Sequence, residues 1–320
     1  MQGDSDLHFI KKRDEFRVKI RRKFIEETLQ SKRSKLFDMP NPSSSNPQTF
    51  LNINASFPKD EASSREMILC LDKQLKESDE NIIEAVDRIF ESNYIPLILK
   101  YIDLQYINDQ EIQIYSSSIC ANISITNNSS YFDILRTNRF ISKLVILLKT
   151  TKNSIIQENL IWALTNISQE SSQLKSEIYS ETHEIFPNLI TNANCSESLL
   201  KTTLWFFEVQ LNTDGKFPLV ENLSKEICLF LRNSLENAKD LGVLASVLKT
   251  MVVVYNIEAW THLFISFLNV ELILPFLFTE NMRINFLALN CLKAYSYLEY
   301  EFSNVFRNLL KKGFTEANFH

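Results

Sequence analysis

The chain has 320 residues, of which 45% are apolar and 23% charged, and its formal net charge is −5. This composition is typical of an ordered protein with a large core, and with only four glycines there is no GxxxxGK[ST], GxGxxG or GxSxG motif, which excludes the common phosphate-binding loops and nucleophile elbows. Five scattered cysteines and four histidines without ligand-like spacing predict reduced core thiols and no metal site, and no apolar run reaches the roughly 18 residues of a membrane span.

The first predicted element is a basic segment at residues 11–35. It contains 11 Lys/Arg and 4 Asp/Glu, a net charge of +7, whereas residues 36–320 sum to −10. A basic arm on an acidic body indicates either an acidic partner or an arm that lies on its own body. Apolar residues recur among the charges at helical spacing, which predicts an amphipathic helix rather than a solvated basic tail: Val18, Ile20, Phe24, Ile25 and Leu29.

The string VKIRRKFIEETLQSKRS at residues 18–34 resembles the importin-β-binding segment of the importin-α family. In that segment a valine, paired basic residues, two acids, a leucine and a terminal basic cluster follow one another in this order. Phe24 and Ile25 stand where the family usually has a second basic pair. The resemblance implies that residues 1–37 form an arm that binds importin-β through Arg13, Arg17, Arg21, Arg22, Lys23, Lys32 and Arg33.

Residues 38–66 are predicted to be a flexible linker. They contain four of the eight prolines together with runs of Ser and Asn. Such a composition cannot bury enough apolar area to fold. The folded body is therefore expected to occupy residues 67–320.

This body is predicted to be all-α and built from repeats. Five long helices with periodic apolar residues align so that Ser118, Trp162, Trp205, Lys249 and Asn290 are equivalent, at steps of 44, 43, 44 and 41 residues. Such steps match the armadillo and HEAT period. Because repeats must stack to cover their apolar faces, we expect a right-handed armadillo-repeat superhelix of about six repeats whose third helices line the concave face. The second helices are expected near 90–102, 139–150, 183–191, 224–235 and 270–278.

A candidate binding stripe lies in the string QENLIWALTNISQE at residues 157–170. Trp162, Asn166 and Glu170 are spaced i, i+4 and i+8, which places them along one side of a helix. An extended basic peptide needs an aromatic wall for its Lys or Arg stems, an amide for its backbone and a carboxylate for its cations. The alternative interpretation is that Trp162 is simply a core residue. A second tryptophan in the next repeat favours the binding interpretation.

The string WALTN also closely resembles the tryptophan and asparagine arrays that bind nuclear localisation signals in the importin-α family. Ser118 and Val209 stand where that family has a tryptophan and an asparagine. The resemblance implies a nuclear import adaptor without cofactors, present in cytoplasm and nucleus, that links cargo proteins with Lys/Arg-rich signals to importin-β. The cargo-binding residues that it implies are Asn122, Trp162, Asn166, Glu170 and Trp205.

Other function classes compete with this interpretation to different degrees. A non-transport armadillo scaffold, whose groove binds another extended partner and whose arm binds an acidic surface, is favoured by the missing Trp and Asn. An enzyme is not expected, because no nucleophile, base and orienting group occur in a recognised spacing. Direct nucleic-acid binding is not expected, because the acidic body would repel phosphates. A membrane partner is not expected either, and the charged N-terminus lacks the apolar run of a secretory signal.

Overall fold

The structure is a computed structural model. It describes residues 58, 60–77, 82–126, 128–185, 188–189, 196–211, 221–257, 263, 266–268 and 270–296. The predicted importin-β-binding arm at residues 1–37, with all of its basic residues, lies outside these ranges. Most of the predicted linker also lies outside them, so both remain predictions.

The described residues form helices and no strand. The helices are arranged in repeat units of two or three helices. Each unit ends in a long helix that packs against the corresponding long helix of the neighbouring units. The α-helices are α1 (Glu61–Glu77), α2 (Ile82–Glu91), α3 (Ile95–Ile102), α4 (Gln110–Ile123), α5 (Ser129–Thr137), α6 (Phe140–Thr150), α7 (Ser154–Ser168), α8 (Ser172–Thr182), α9 (Glu197–Leu211), α10 (Glu221–Asn237), α11 (Leu241–Tyr255) and α12 (Met282–Ser296).

The long unit-ending helices, called third helices below, pack in chain order. Helix α1 contacts α4, α4 contacts α7, α7 contacts α9, α9 contacts α11, and α11 contacts α12. The remaining helices flank this row, as α3 does beside α4 and α6 beside α7. The predicted third helices are therefore confirmed as α4, α7, α9, α11 and α12, and α1 adds a further member at the N-terminal end of the row.

Side-chain hydrogen bonds join neighbouring third helices at the repeat period. Between α4 and α7 the amides of Asn159 and Asn166 donate to the hydroxyls of Ser117 and Ser124 at 3.1 and 3.0 Å, in each case across 42 residues of sequence. The Thr250 hydroxyl donates to the Leu204 carbonyl at 3.2 Å across 46 residues. The separation of 42 residues lies within the steps of 41 to 44 residues found in the sequence, and that of 46 residues is two residues longer.

Several boundaries differ from the sequence-based expectation. The second helix predicted near 90–102 begins at Ile95, and residues 183–185 of the one predicted near 183–191 form a 3-10 helix. Helix α1 begins at Glu61, inside the predicted linker, because the Asp60 carboxylate accepts a hydrogen bond from the Ser63 backbone N–H at 2.8 Å and so caps the helix. The predicted second helix at 270–278 is instead two short 3-10 helices, Val270–Leu272 and Leu274–Phe278. Pro275 explains the break, since proline has no N–H to continue a helical ladder.

Ion pairs bind the start of one third helix to its neighbour. Arg65 of α1 pairs with Asp109, the N-cap of α4, and Lys201 of α9 lies 2.6 Å from Asp240, the N-cap of α11. Gly242 leaves room for this ammonium group, because a Cβ atom at that position would lie 2.9 Å from Lys201 Nζ. The hydrogen bonds from Arg65 and Lys201 lower the pKa values of the Asp109 and Asp240 carboxyls, respectively.

These lowered pKa values predict a loss of stability in acid. A carboxyl with a depressed pKa stabilises the folded state above its unfolded pKa, and that contribution disappears as the pH falls through the lower folded pKa. Asp240→Asn keeps an N-cap but removes the charge. We expect Asp240→Asn to lower the free energy of unfolding at pH 7 by up to about 1 kcal/mol.

Urea unfolding of both proteins from pH 7 to pH 2 measures this effect. The difference between wild type and Asp240→Asn should shrink as the pH falls below the ordinary aspartate pKa of 3.8. A difference that stays constant over this range would show that the charge of Asp240 does not contribute.

Candidate peptide-binding groove

The two tryptophans predicted to be equivalent lie side by side on consecutive third helices. The ring centroids of Trp162 on α7 and Trp205 on α9 are 5.1 Å apart, with 63° between the ring planes. Edge-to-face packing of this kind adds attraction beyond the area that it buries. The structure thus brings together the two aromatic residues on which the binding hypothesis depends.

The two rings differ in how much of them solvent can reach. Trp162 is only 9% exposed, because every residue of α7 from Ile156 to Ser168 is buried. Trp205 is half-buried. Trp162 therefore mainly supports the packing of α7 on α9, whereas part of the Trp205 ring is accessible to solvent.

The two asparagines also differ. Asn166 is 1% exposed; its Nδ2 donates to Ser124 Oγ, and none of the described residues hydrogen-bonds its Oδ1. Asn122 is half-buried, and its Nδ2 donates to the Ser118 carbonyl at 3.0 Å. Of these two asparagines on the third helices, Asn122 therefore has the more accessible amide, and its oxygen can accept a hydrogen bond from a peptide N–H.

The predicted stripe of Trp162, Asn166 and Glu170 is not a single exposed row in the structure. Helix α7 ends at Ser168, so Glu170 lies on the following turn, where its N–H donates to the Ile167 carbonyl at 3.1 Å. Glu170 is half-buried. The carboxylate is thus more accessible than the tryptophan and the asparagine that precede it.

Two carboxylates near the tryptophans were missed by the sequence analysis. Glu158, one helical turn before Trp162, is buried and accepts a hydrogen bond from the Ser198 hydroxyl at 2.8 Å. Glu208, one turn after Trp205, is half-buried. Spacings of three and four residues from each tryptophan were the available signal, because they place side chains on one side of a helix.

Glu208 of α9 interacts electrostatically with Lys249 of α11. Burial raises the pKa of the Glu208 carboxyl, and the nearby Lys249 ammonium partly opposes this rise. Lys249 occupies the position equivalent to the two tryptophans. At this equivalent position the third helices α7 and α9 therefore carry a tryptophan, whereas α11 carries a cation.

The described residues contain no cluster of three or more His, Cys, Asp or Glu side chains that could bind a metal ion. No described helix is long and apolar enough to cross a membrane. Cys120, Cys228 and Cys291 are buried, and burial raises the pKa of the Cys228 thiol to about 12. A thiol with so high a pKa is a weak nucleophile at neutral pH.

No protein-family model and no curated protein matches this chain. Solved structures do match it. An engineered protein from the Northeast Structural Genomics Consortium has a TM-score of 0.61 at 16% identity, with 78% of this chain and 96% of that chain covered. A designed armadillo repeat protein in complex with the peptide (KR)4 has a TM-score of 0.55 at 14% identity, with 72% and 98% covered.

The fold is an armadillo-repeat superhelix. A further match, to computationally designed armadillo repeat proteins for modular peptide recognition, agrees with this assignment at a TM-score of 0.59 and 14% identity, with 73% of this chain and 92% of that chain covered. At such low sequence identities the similarity concerns the fold alone. The predicted fold class is thus confirmed by the packing of the third helices and by these neighbours.

Proposed function

We propose that this armadillo-repeat chain is an adaptor that binds a short Lys/Arg-rich segment of a partner protein along its third helices. The observation that carries this proposal is the contact between Trp162 and Trp205, together with carboxylates on or just after the same two third helices. A half-buried indole attracts a Lys or Arg stem and its cation. Glu208, one helical turn after Trp205, and Glu170, on the turn after α7, add negative charge to these two repeats. A neighbour of the same fold, described in complex with (KR)4, supports the same ligand chemistry.

The finer form of the proposal is nuclear import. The segment at residues 18–34 resembles the importin-β-binding segment of importin-α proteins, and the string WALTN resembles their signal-binding arrays. Together they support an adaptor that links cargo with a basic localisation signal to importin-β and moves between cytoplasm and nucleus. Asn122 and Trp205 supply the accessible amide and ring in this scheme.

The alternative is an armadillo scaffold outside transport. Ser118 and Val209 remove one aromatic and one amide from the line, and Asn166 is buried against Ser124. Both features shorten the stretch on which a basic peptide can bind. In this alternative the groove holds another extended partner, and the basic arm binds an acidic surface.

Titration with a fluorescent Lys/Arg-rich peptide tests the basic-peptide groove. We expect binding in the micromolar range or tighter, and we expect Trp205→Ala to weaken it about tenfold, since aromatic anchors dominate such contacts. Trp205→Phe should keep most of the affinity because a ring remains. Ile146→Ala on α6, which removes an exposed side chain from a helix outside the row of third helices, is the control that should change nothing.

The affinity should fall as the salt concentration rises, because exposed charge pairs are screened. Affinity that does not respond to salt or to Trp205→Ala would refute a basic-peptide groove at this position. The scaffold alternative would then become the leading hypothesis.

The charge at Lys249 predicts a gain of binding. A Lys/Arg-rich peptide that extends beyond Trp205 approaches this ammonium group, and like charges repel. We expect Lys249→Glu to tighten binding of the basic peptide about two- to fivefold, in line with the free energy of a half-exposed charge pair. Lys249→Gln, which removes the charge without reversing it, should give an intermediate value in the same titration.

Binding to importin-β separates the transport form of the proposal from the scaffold form. The full chain should bind importin-β, and a variant lacking residues 1–37 should not. If the full chain does not bind importin-β although the basic peptide binds the groove, the transport form is wrong and the peptide-binding form stands.

A further inference from the structure

A cluster of charged and aromatic side chains lies between α1 and α4, at the N-terminal end of the row of third helices. Tyr115 of α4 is half-buried, and the ammonium nitrogen of Lys76 of α1 lies 5.7 Å from the centroid of its ring. Lys76 also donates a hydrogen bond to Asp72, one turn earlier on α1. The Tyr115 hydroxyl donates to the Glu111 carboxylate at 3.5 Å. We call these four residues the Tyr115 cluster.

The Tyr115 cluster contains more negative charge than positive charge. Two carboxylates accompany one ammonium group, and both act on the same ring. Burial raises the pKa of the Tyr115 hydroxyl, and the charges of Glu111 and Asp72 raise it further. A negative environment beside an aromatic ring favours a cation. Lys76 already lies over this ring as an internal cation, but it balances the charge of only one of the two carboxylates.

Asp72 has an unused hydrogen-bond acceptor in this cluster. Its side chain is only 3% exposed, its Oδ2 accepts the hydrogen bond from Lys76, and no described residue hydrogen-bonds its Oδ1. Burying a carboxylate is costly unless it is paired and hydrogen-bonded, so a second donor at Asp72 would be favourable. The side chain of Lys76 is 45% exposed, so it can turn towards solvent and open a path to Asp72.

The accessible side of α4 connects the Tyr115 cluster to the candidate groove. Glu111, Tyr115, Ser118 and Asn122 are spaced i, i+4, i+7 and i+11, which places them along one side of the helix. Each of these four residues is exposed or half-buried. Ser118 is the position that corresponds to the two tryptophans. Helix α4 therefore has an aromatic ring one turn before the position at which α7 and α9 have their tryptophans.

We propose that the Tyr115 cluster is a subsite for one Lys or Arg side chain of the bound segment, and that Lys76 occupies this subsite in the free chain. The proposal rests on the basic-peptide groove and extends it by one repeat. The ligand cation replaces Lys76 over the Tyr115 ring and pairs with Asp72, while Lys76 turns to solvent. Packed helices lie about 8–10 Å apart, so about six residues of extended peptide reach from α9 to α4.

Fluorescent peptides of matched length test this subsite on the full chain. A Lys/Arg-rich core peptide is lengthened by Gly-Arg-Arg or by Gly-Gln-Gln, at the N-terminal end in one pair and at the C-terminal end in another. The ratio of the two affinities in a pair is the arginine preference. We expect a preference of about three- to tenfold at one end only, since a peptide crosses the helices in one direction. This ratio does not depend on the folded fraction of the protein.

Substitutions in the cluster separate the subsite from general charge attraction. Tyr115→Leu should abolish the arginine preference, and Tyr115→Phe, which keeps the ring, should retain it. Lys76→Gln, which removes the internal cation, should increase the preference about two- to fivefold. Lys73→Gln is the matched control, because Lys73 is exposed on the same helix and pairs with Glu77 at 3.9 Å. It changes the net charge equally but leaves the ring covered, so the preference should stay close to the wild-type value.

Three results would overturn the subsite: an arginine preference that survives Tyr115→Leu, one that is equal at both ends of the peptide, or one that rises equally in Lys76→Gln and Lys73→Gln. If the core peptide binds but neither end shows an arginine preference, the subsite is wrong and the basic-peptide groove stands. If the core peptide does not bind at all, the groove is refuted, and the subsite that extends it is refuted with it.

Discussion

Trp162→Ala is expected to destabilise the superhelix by about 3–5 kcal/mol, the usual cost of removing a large aromatic side chain from a core. The ring is 9% exposed, and it loses both its edge contact with Trp205 and its packing within the buried helix α7. The neighbouring helices cannot collapse freely into the resulting cavity, since α7 is held to α4 by the hydrogen bonds of Asn159 and Asn166. Equilibrium urea unfolding monitored by circular dichroism measures the change.

Trp205→Ala is the matched comparison. It removes the other half of the same ring contact, but its ring is half-buried, so we expect a smaller loss of about 1–3 kcal/mol. Equal losses for the two variants would mean that Trp162 is no more a core residue than Trp205. The comparison also bears on function, because a loss of peptide binding in Trp162→Ala reflects unfolding as well as lost contact. Trp205 is therefore the better position for testing the groove.

The repeat architecture could be predicted from sequence because its signal is long and redundant. Five helices of similar length and apolar pattern recur at steps of 41 to 44 residues. The hydrogen bonds between α4 and α7 then join residues 42 apart. An error in one helix would have left the period intact, since four other helices define it.

The depth of each side chain could not be predicted in the same way. Helical spacing states which residues share a side of a helix, but it does not state how close the neighbouring helix approaches. Asn166 is buried, and its Nδ2 donates to the hydroxyl of Ser124, the C-cap residue of α4. Neither fact is visible in the sequence around Asn166. The same limit applies to Trp162, which is only 9% exposed and whose ring contacts Trp205 on the next third helix.

Two elements were also mispredicted, because one residue in each mattered more than the composition around it. Asp60 is a helix cap, but it follows a Ser-, Asn- and Pro-rich stretch that predicts a linker. Residues 270–278 are predicted to form one second helix, yet the run around Pro275 forms two short 3-10 helices. In both places a single residue decided the local backbone against the average composition of its surroundings.

A second large effect is expected at Gln210, where a substitution should stabilise the protein. Gln210 on α9 is completely buried, and no described residue hydrogen-bonds either its Nε2 or its Oε1. Leaving a buried polar group unpaired costs about 1–3 kcal/mol. Residues at the equivalent positions of neighbouring third helices are apolar and equally buried: Ile123, Ile167 and Val254.

We therefore expect Gln210→Met, which keeps the length of the side chain and removes its amide, to raise the free energy of unfolding by about 1–3 kcal/mol. Gln157→Met is the matched control. Gln157 is also buried, but its Nε2 donates to the Thr151 carbonyl at 3.0 Å, so the same substitution there should destabilise by about 1 kcal/mol. The same substitution is therefore expected to raise the free energy of unfolding at position 210 and to lower it at position 157. Urea unfolding of the two variants measures both changes. A destabilised Gln210→Met would refute the expectation that the Gln210 amide is buried without hydrogen bonds.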